Sequence, residues 1–325
     1  MVPFAAPLDE AERRRHRLRN ILHTWLLILG SGTLVALIAW ILFGTAGLVW
    51  AAILTVVGLW SAGQVSPKMV LGLYRARPLN ARELPELHAI LRQLAVRAEL
   101  PAVPELFYVP SRMMNAFAVG RPEDSAIAVT DGLLRGLNLR QVTGVLAHEM
   151  SHIRNGDLKV MALGDVLTRL TSLMSTLGLI ALALSLPAML ASGMQMPWLA
   201  ILLLVFAPTI GGLMQLALSR AREYDADLDA AGLTGDPQGL ASALLTLERR
   251  QGRLWEGLLL PGSRLPDPSL LRTHPPTEAR VERLMSLTPA PRPSIDVPAA
   301  RDEFAATAPP LRSPRFHWQR LGTWY

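Results

Sequence analysis

The sequence predicts a mainly α membrane protein: four transmembrane helices in two hairpins, plus an α+β domain in water that carries a small antiparallel sheet. Three observations predict it. Residues 21–67 and residues 170–219 contain no Asp, Glu, Lys or Arg, and a spanning helix needs about 20 apolar residues, so each block holds two passes joined by a tight turn. Charge is dense between and around these blocks. Between them the continuous apolar run gives way to helical and alternating patterns typical of a water-facing domain.

In chain order, residues 1–20 form a basic leader with a short helix over residues 9–20. The first hairpin takes residues 21–66. One pass runs over 21–43, the turn is Gly44-Thr45-Ala46-Gly47, and the return runs over 48–65. Trp25, Trp40, Trp50 and Trp60 fall towards the ends of these passes, where interfacial tryptophans gather.

The first part of the water-facing domain is residues 67–165. Leu84, Leu87, Ile90, Leu91 and Leu94 recur at helical spacing within residues 81–99, and Pro101 and Pro104 end that helix. Three strands follow at 105–109, 115–119 and 125–130, separated by turn-forming residues. Asn138 or Leu139 opens a further helix, whose apolar continuation leads towards the membrane. The second hairpin takes residues 166–218, with its turn at 191–197, and Pro187 and Pro208 lie inside its passes. Residues 219–287 complete the domain, with Leu240, Leu244, Leu245 and Leu247 as core. Residues 288–325 form a Pro-rich, disordered tail.

The net charge of +6 is placed more tellingly than its size suggests. Arg13, Arg14, Arg15, Arg17 and Arg19 precede the first apolar block, and Lys68, Arg75, Arg77 and Arg82 follow it, whereas the turns inside the blocks carry none. Basic residues near membrane ends stay in the cytoplasm, so both termini and the water-facing domain are expected there, in a multi-pass protein of the cell's inner membrane. The same placement accounts for the basic character without a nucleic acid partner. Cysteine is absent, which removes disulfides and thiol catalysis.

The residues that demand a particular chemistry are Ala147-His148-Glu149-Met150-Ser151-His152. Positions i and i+4 lie one above the other on a helix, so His148 and His152 present two imidazoles to one metal ion, with Glu149 beside them. This is the H-E-x-x-H arrangement of zinc metallopeptidases, in which zinc activates a water and the glutamate takes its proton. A third ligand is needed. Directly after the fourth pass stands Ser219-Arg220-Ala221-Arg222-Glu223-Tyr224-Asp225-Ala226-Asp227. Here Glu223 and Asp227 share a helix face. Glu223 would complete a set of two histidines and one glutamate with a position left open for water, and Asp227 would accept the second N–H of a ligand histidine. Pairing of both acids with Arg220 and Arg222 on a solvated face is the other reading of the same spacing.

These two motifs, in this order across a hydrophobic hairpin, resemble the HtpX family of integral-membrane zinc metalloproteases, relatives of the type I CAAX prenyl proteases. Asn115-Ala116-Phe117-Ala118 with Gly120, and Thr273-His274-Pro275-Pro276 leading into Glu278, Arg280 and Arg283, match the same pattern. The resemblance implies a zincin-like catalytic domain facing the cytoplasm, one zinc ion held by His148, His152 and Glu223, and Glu149 as general base and acid. It also implies that Asn115, Ala116, Phe117 and Ala118 bind an extended substrate by strand addition, and that His274 steadies the oxyanion. The expected partners are polypeptide substrates and the lipid bilayer, and the expected role is quality control of misfolded or membrane proteins. Trimming of prenylated C-termini, and a non-catalytic zinc-binding sensor or scaffold, are the alternatives. The basic leader and the aromatic, Pro-rich tail depart from the family pattern without touching the chemistry.

Overall fold

The structure is a computed structural model, and it describes residues 10–63, 67–193, 195, 197–257, 277–287 and 295. The basic leader lies partly, and His274 and nearly all of the tail wholly, outside the described residues. The chain divides into two compact units, one made of residues 9–65 and 158–222, the other of 66–157 and of the chain from 223 onwards.

Among the described residues, three helices are long and apolar enough to cross a membrane, over Thr24–Ser61, Asp157–Ala191 and Trp198–Thr234. The first of these belongs to α1 (Glu10–Gly63), which is interrupted at Gly44 (φ 60°, ψ −144°), a conformation that glycine alone adopts without strain. A Cβ on Gly47 would lie 2.1 Å from the Ala39 carbonyl oxygen. On an unbroken helix those residues are about 12 Å apart along the axis, so the chain turns back on itself at Gly44. Leu34, Val35, Ile38, Ala39 and Ala51 of α1 pack with Leu167 and Met174 of α6 (Asp157–Ala191) and with Leu204 and Ala207 of α7 (Trp198–Thr234). The buried Ser175 hydroxyl donates to the Leu204 carbonyl, which satisfies a polar group among these helices.

The second unit is built on a four-stranded sheet of order β1-β2-β4-β3, with β1 (Arg77–Pro78), β2 (Glu105–Val109), β3 (Ala116–Arg121) and β4 (Asp124–Thr130). The sheet is mixed, and the expected purely antiparallel sheet is thereby corrected: β2 and β4 run parallel, Leu106 opposite Ile127 and Tyr108 opposite Val129. The physical reason lies in β4. Arg121 pairs with Asp124 across a two-residue turn, which makes β3 and β4 an antiparallel hairpin. Yet β4 is buried on both faces from Ser125 to Thr130 and so takes a central position, which brings it beside β2 in the parallel sense and sends β3 to the edge. The two-residue β1, antiparallel to β2, is too short to leave an alternating pattern in the sequence.

Side chains alternate cleanly across this sheet. Phe107, Val109, Phe117, Ala126 and Ala128 meet Leu71 of α2 (Pro67–Leu73) on one face. Leu106, Tyr108, Ala116, Ala118, Ile127 and Val129 join the main core with α3 (Pro85–Arg97) and α5 (Leu139–Asn155) on the other. Pro85 stands at the start of α3, where its missing N–H costs nothing, so that helix begins later than the apolar pattern alone implies.

Helix α5 is the centre of this unit. Asn138 caps it reciprocally: its side chain accepts from the Gln141 N–H at 2.9 Å, and the Gln141 side chain accepts from the Asn138 N–H at 3.0 Å. Leu139, Val142, Leu146, Met150 and Ile153 are buried along it. The helix does not continue into the membrane helix. Gly156 (φ 67°) closes it in the left-handed conformation, and α6 starts afresh at Asp157.

Gly144 lets α8 (Pro237–Gly257) approach closely, since a Cβ there would lie 2.9 Å from both the backbone N and the Cα of Leu240. Backbone cannot yield as a flexible side chain does. Gly144→Val is therefore expected to destabilise this unit by about 1–3 kcal/mol despite its lower backbone entropy in the unfolded chain. The check is the thermal unfolding midpoint in detergent, and an unchanged midpoint would show that α5 and α8 can separate freely.

Candidate metal centre

Two helices and the start of a third build the site, all within the second unit. Helix α5 contributes His148 and His152 one turn apart, both on the side turned towards the C-terminal part of α7. That part of α7 contributes Glu223 and, one turn later, Asp227. His148, Glu223 and Asp227 are buried, at 5%, 3% and 4% exposure, so each must find a partner.

The three groups His148, His152 and Glu223 each offer one ligand atom to a common point. The two Nε2 atoms are 3.2 Å apart. Glu223 Oε2 lies 3.4 Å from His148 Nε2, and Oε1 lies 3.6 Å from His152 Nε2. Ligands about 2.0–2.1 Å from a tetrahedral metal stand about 3.3 Å from one another, so these separations are those of a coordination shell. The rings stand edge to face, 4.8 Å between centroids.

The other nitrogen of each ring is held by a carboxylate. His148 Nδ1 lies 3.1 Å from Asp227 Oδ1, and His152 Nδ1 lies 2.8 Å from Asp157 Oδ2. Donation from His152 Nδ1–H to Asp157 leaves its Nε2 lone pair facing inward, and the Asp227 carboxylate beside His148 Nδ1 favours the same tautomer there, as a metal requires. Burial would push the His148 imidazole down, but its hydrogen bonds to Asp227 and Glu223 and the charges of both raise its pKa to about 10. The surroundings thus favour a positive charge at this point. A metal cation on Nε2 supplies that charge in place of a proton, so the residues present fit a metal on geometry and on electrostatics alike.

The expected site residues fall as follows. His148, His152, Glu223 and Asp227 come together as described. Glu149 follows His148 on α5 and is half-buried. Ala116, Phe117 and Ala118 lie in β3, whose outer edge has no strand partner among the described residues and which packs against α5. Asn115 just precedes that strand, its N–H donating to Thr130 Oγ1 at 2.9 Å. Arg222 donates to Thr24 Oγ1 at 2.7 Å, and the guanidinium on Asp227 is that of Arg280 in α9 (Thr277–Ser286).

Two contributors were given no role by sequence reasoning: Asp157, which it did not single out, and Arg280, which it named only as part of a motif. Asp157 is five residues beyond His152, off the helical register, and only the left-handed turn at Gly156 brings it back. The glycine immediately before it was the available signal.

A comparison with protein families matches peptidase family M48 over residues 81–288. A protein of Methylibium petroleiphilum called Protease HtpX homolog is 32% identical over 283 residues, covering 83% of this chain and 98% of that protein. One of the same designation from Pyrococcus furiosus is 36% identical over 268 residues, covering 79% of this chain and 92% of its own. Among solved structures, the Ste24p protein of S. mikatae matches with a TM-score of 0.48 and 20% identity, covering 83% of this chain and 66% of that one.

Proposed function

Since this chain belongs to peptidase family M48 and is a membrane metalloprotease, we propose that it holds one zinc ion between His148, His152 and Glu223 and cleaves polypeptides with Glu149 as the proton carrier. The observation that carries this reading is the set of ligand-atom separations of 3.2, 3.4 and 3.6 Å, which a tetrahedral zinc shell requires. Bound there, zinc supplies a Lewis acid for the peptide carbonyl and acidifies water. Glu149, next to His148, takes the proton of the attacking water and passes it to the leaving amine. Asp227 and Asp157 keep the two imidazoles in the tautomer that ligation needs and stop them turning. The outer edge of β3 receives the substrate as an added strand through backbone hydrogen bonds, a mode that reads main chain more than side chain. Such reading suits misfolded or membrane proteins as substrates.

Metal removal tests the assignment directly. Treatment of the detergent-purified protein with a chelator is expected to abolish cleavage of casein, and one equivalent of zinc to restore it. Cleavage that survives complete removal of metal would sink the reading.

We also propose four membrane passes, with the metal site in the cytoplasm. The reversal at Gly44 supports two passes in α1, and the arginines around the first apolar block support the orientation. The absence of native cysteine makes single-cysteine mapping clean. Cysteine introduced at Thr45 or at Gln195 is expected to react with an impermeant thiol reagent from outside intact cells, and cysteine at Glu83 or Gln238 only after lysis. Labelling of all four positions from one side would overturn this topology.

A further inference from the structure

Helix α9 is reached only after the chain has left α8, and it returns a single buried cation to the metal centre. Arg280 is 4% exposed. Its Nε donates to Asp227 Oδ2 at 2.7 Å and its Nη2 to Asp227 Oδ1 at 2.6 Å, a fork in which both carboxylate oxygens are fixed. Its Nη1 lies 3.3 Å from Glu223 Oε2. One planar group therefore touches the carboxylate that faces the metal point and the carboxylate that orients His148. One turn on, the guanidinium of Arg283 stacks over the Tyr224 ring at 4.5 Å, so α9 grips α7 at Glu223, Tyr224 and Asp227 in turn.

We propose that Arg280 is a positioning residue for the metal, holding Asp227 and Glu223 in the one arrangement that keeps His148 Nε2 and a Glu223 oxygen aimed at a common point. The proposal rests on the ligand assignment made above. The geometry explains why an arginine stands here. A bidentate fork leaves Asp227 no rotational freedom, so its Oδ1 must face the His148 Nδ1–H, and the third arm of the same guanidinium limits the swing of Glu223. Lysine, with a single ammonium, cannot hold two carboxylates in fixed relative orientation. Arg283, by contrast, grips the same helix without touching a group that faces the metal, and serves as the internal control.

The test uses the full chain in detergent, with zinc affinity measured by competition against a chromophoric chelator, alongside thermal unfolding of the metal-free protein. Arg280→Met is expected to bind zinc 10–100-fold more weakly, the loss typical of groups that orient metal ligands. Arg280→Lys is expected to recover only part of that loss, and Arg280→Ala to regain affinity on addition of guanidinium ion. Arg283→Leu is expected to lower the unfolding midpoint while leaving zinc affinity unchanged. Wild-type affinity in Arg280→Met would overturn the proposal, as would equal losses in Arg280→Met and Arg283→Leu. Failure of every Arg280 variant to fold, with Arg283→Leu folded, would mark Arg280 as a folding residue and overturn it too. Glu223→Ala run in parallel separates the two levels: if it retains zinc, the ligand assignment itself has failed, whatever the Arg280 variants do.

Discussion

Glu149→Gln is expected to bind one zinc ion per chain with wild-type affinity and to cleave casein about 10²–10⁴-fold more slowly. The amide is isosteric with the carboxylate, so α5 and the positions of His148 and His152 are undisturbed. What it cannot do is take a proton from water and return it to an amine, and general base and acid catalysis contributes a factor of that size. Metal content by elemental analysis and initial cleavage rates, on the same preparation, make the check. A variant that cleaves at the wild-type rate would show that another group carries the proton.

Glu223→Ala is expected to lose both metal and proteolysis. Glu223 is one of three groups at the metal point, and with it gone two imidazoles remain, too few for a catalytic shell. Arg280 keeps its fork on Asp227, so the contact of α9 with α7 survives and loss of metal is not a by-product of unfolding. The far-ultraviolet spectrum should therefore stay that of the wild type while zinc falls well below one per chain. If metal and activity both persist, the third ligand lies elsewhere in the chain.

The residues proposed to face the metal were legible in the sequence because helical spacing is a local rule. His148 and His152 are one turn apart on any helix, and Glu223 with Asp227 likewise. The four-residue spacing thus carries geometry without knowledge of the fold. The strands at 105–109 and 125–130 were legible for a related reason, being short runs of β-branched and apolar residues between turns. Their mutual direction was not. Whether β4 pairs beside β2 in the parallel sense depends on its burial on two faces, and that is decided by α2 on one side and by α3 and α5 on the other, all distant in sequence. Asp157 escaped because a single left-handed residue, Gly156, breaks the helical register that made the histidines readable. Arg280 was visible as part of a motif, yet nothing local says that its partner is Asp227, since the pair is joined only by tertiary folding.

The distribution of the metal-facing groups along the chain also dictates when the enzyme can first exist. His148 and His152 are synthesised before α6 and most of α7, while Glu223 and Asp227 come only after both apolar stretches, and Arg280 later still. A ribosome-bound chain that has just finished α5 owns the proposed proton carrier and two imidazoles of the set and nothing more. On the proposed ligand set, cutting power arises only once the second apolar pair has been made and the polypeptide behind it has emerged. On that ligand set, a chain still being made has no complete metal site with which to cut itself.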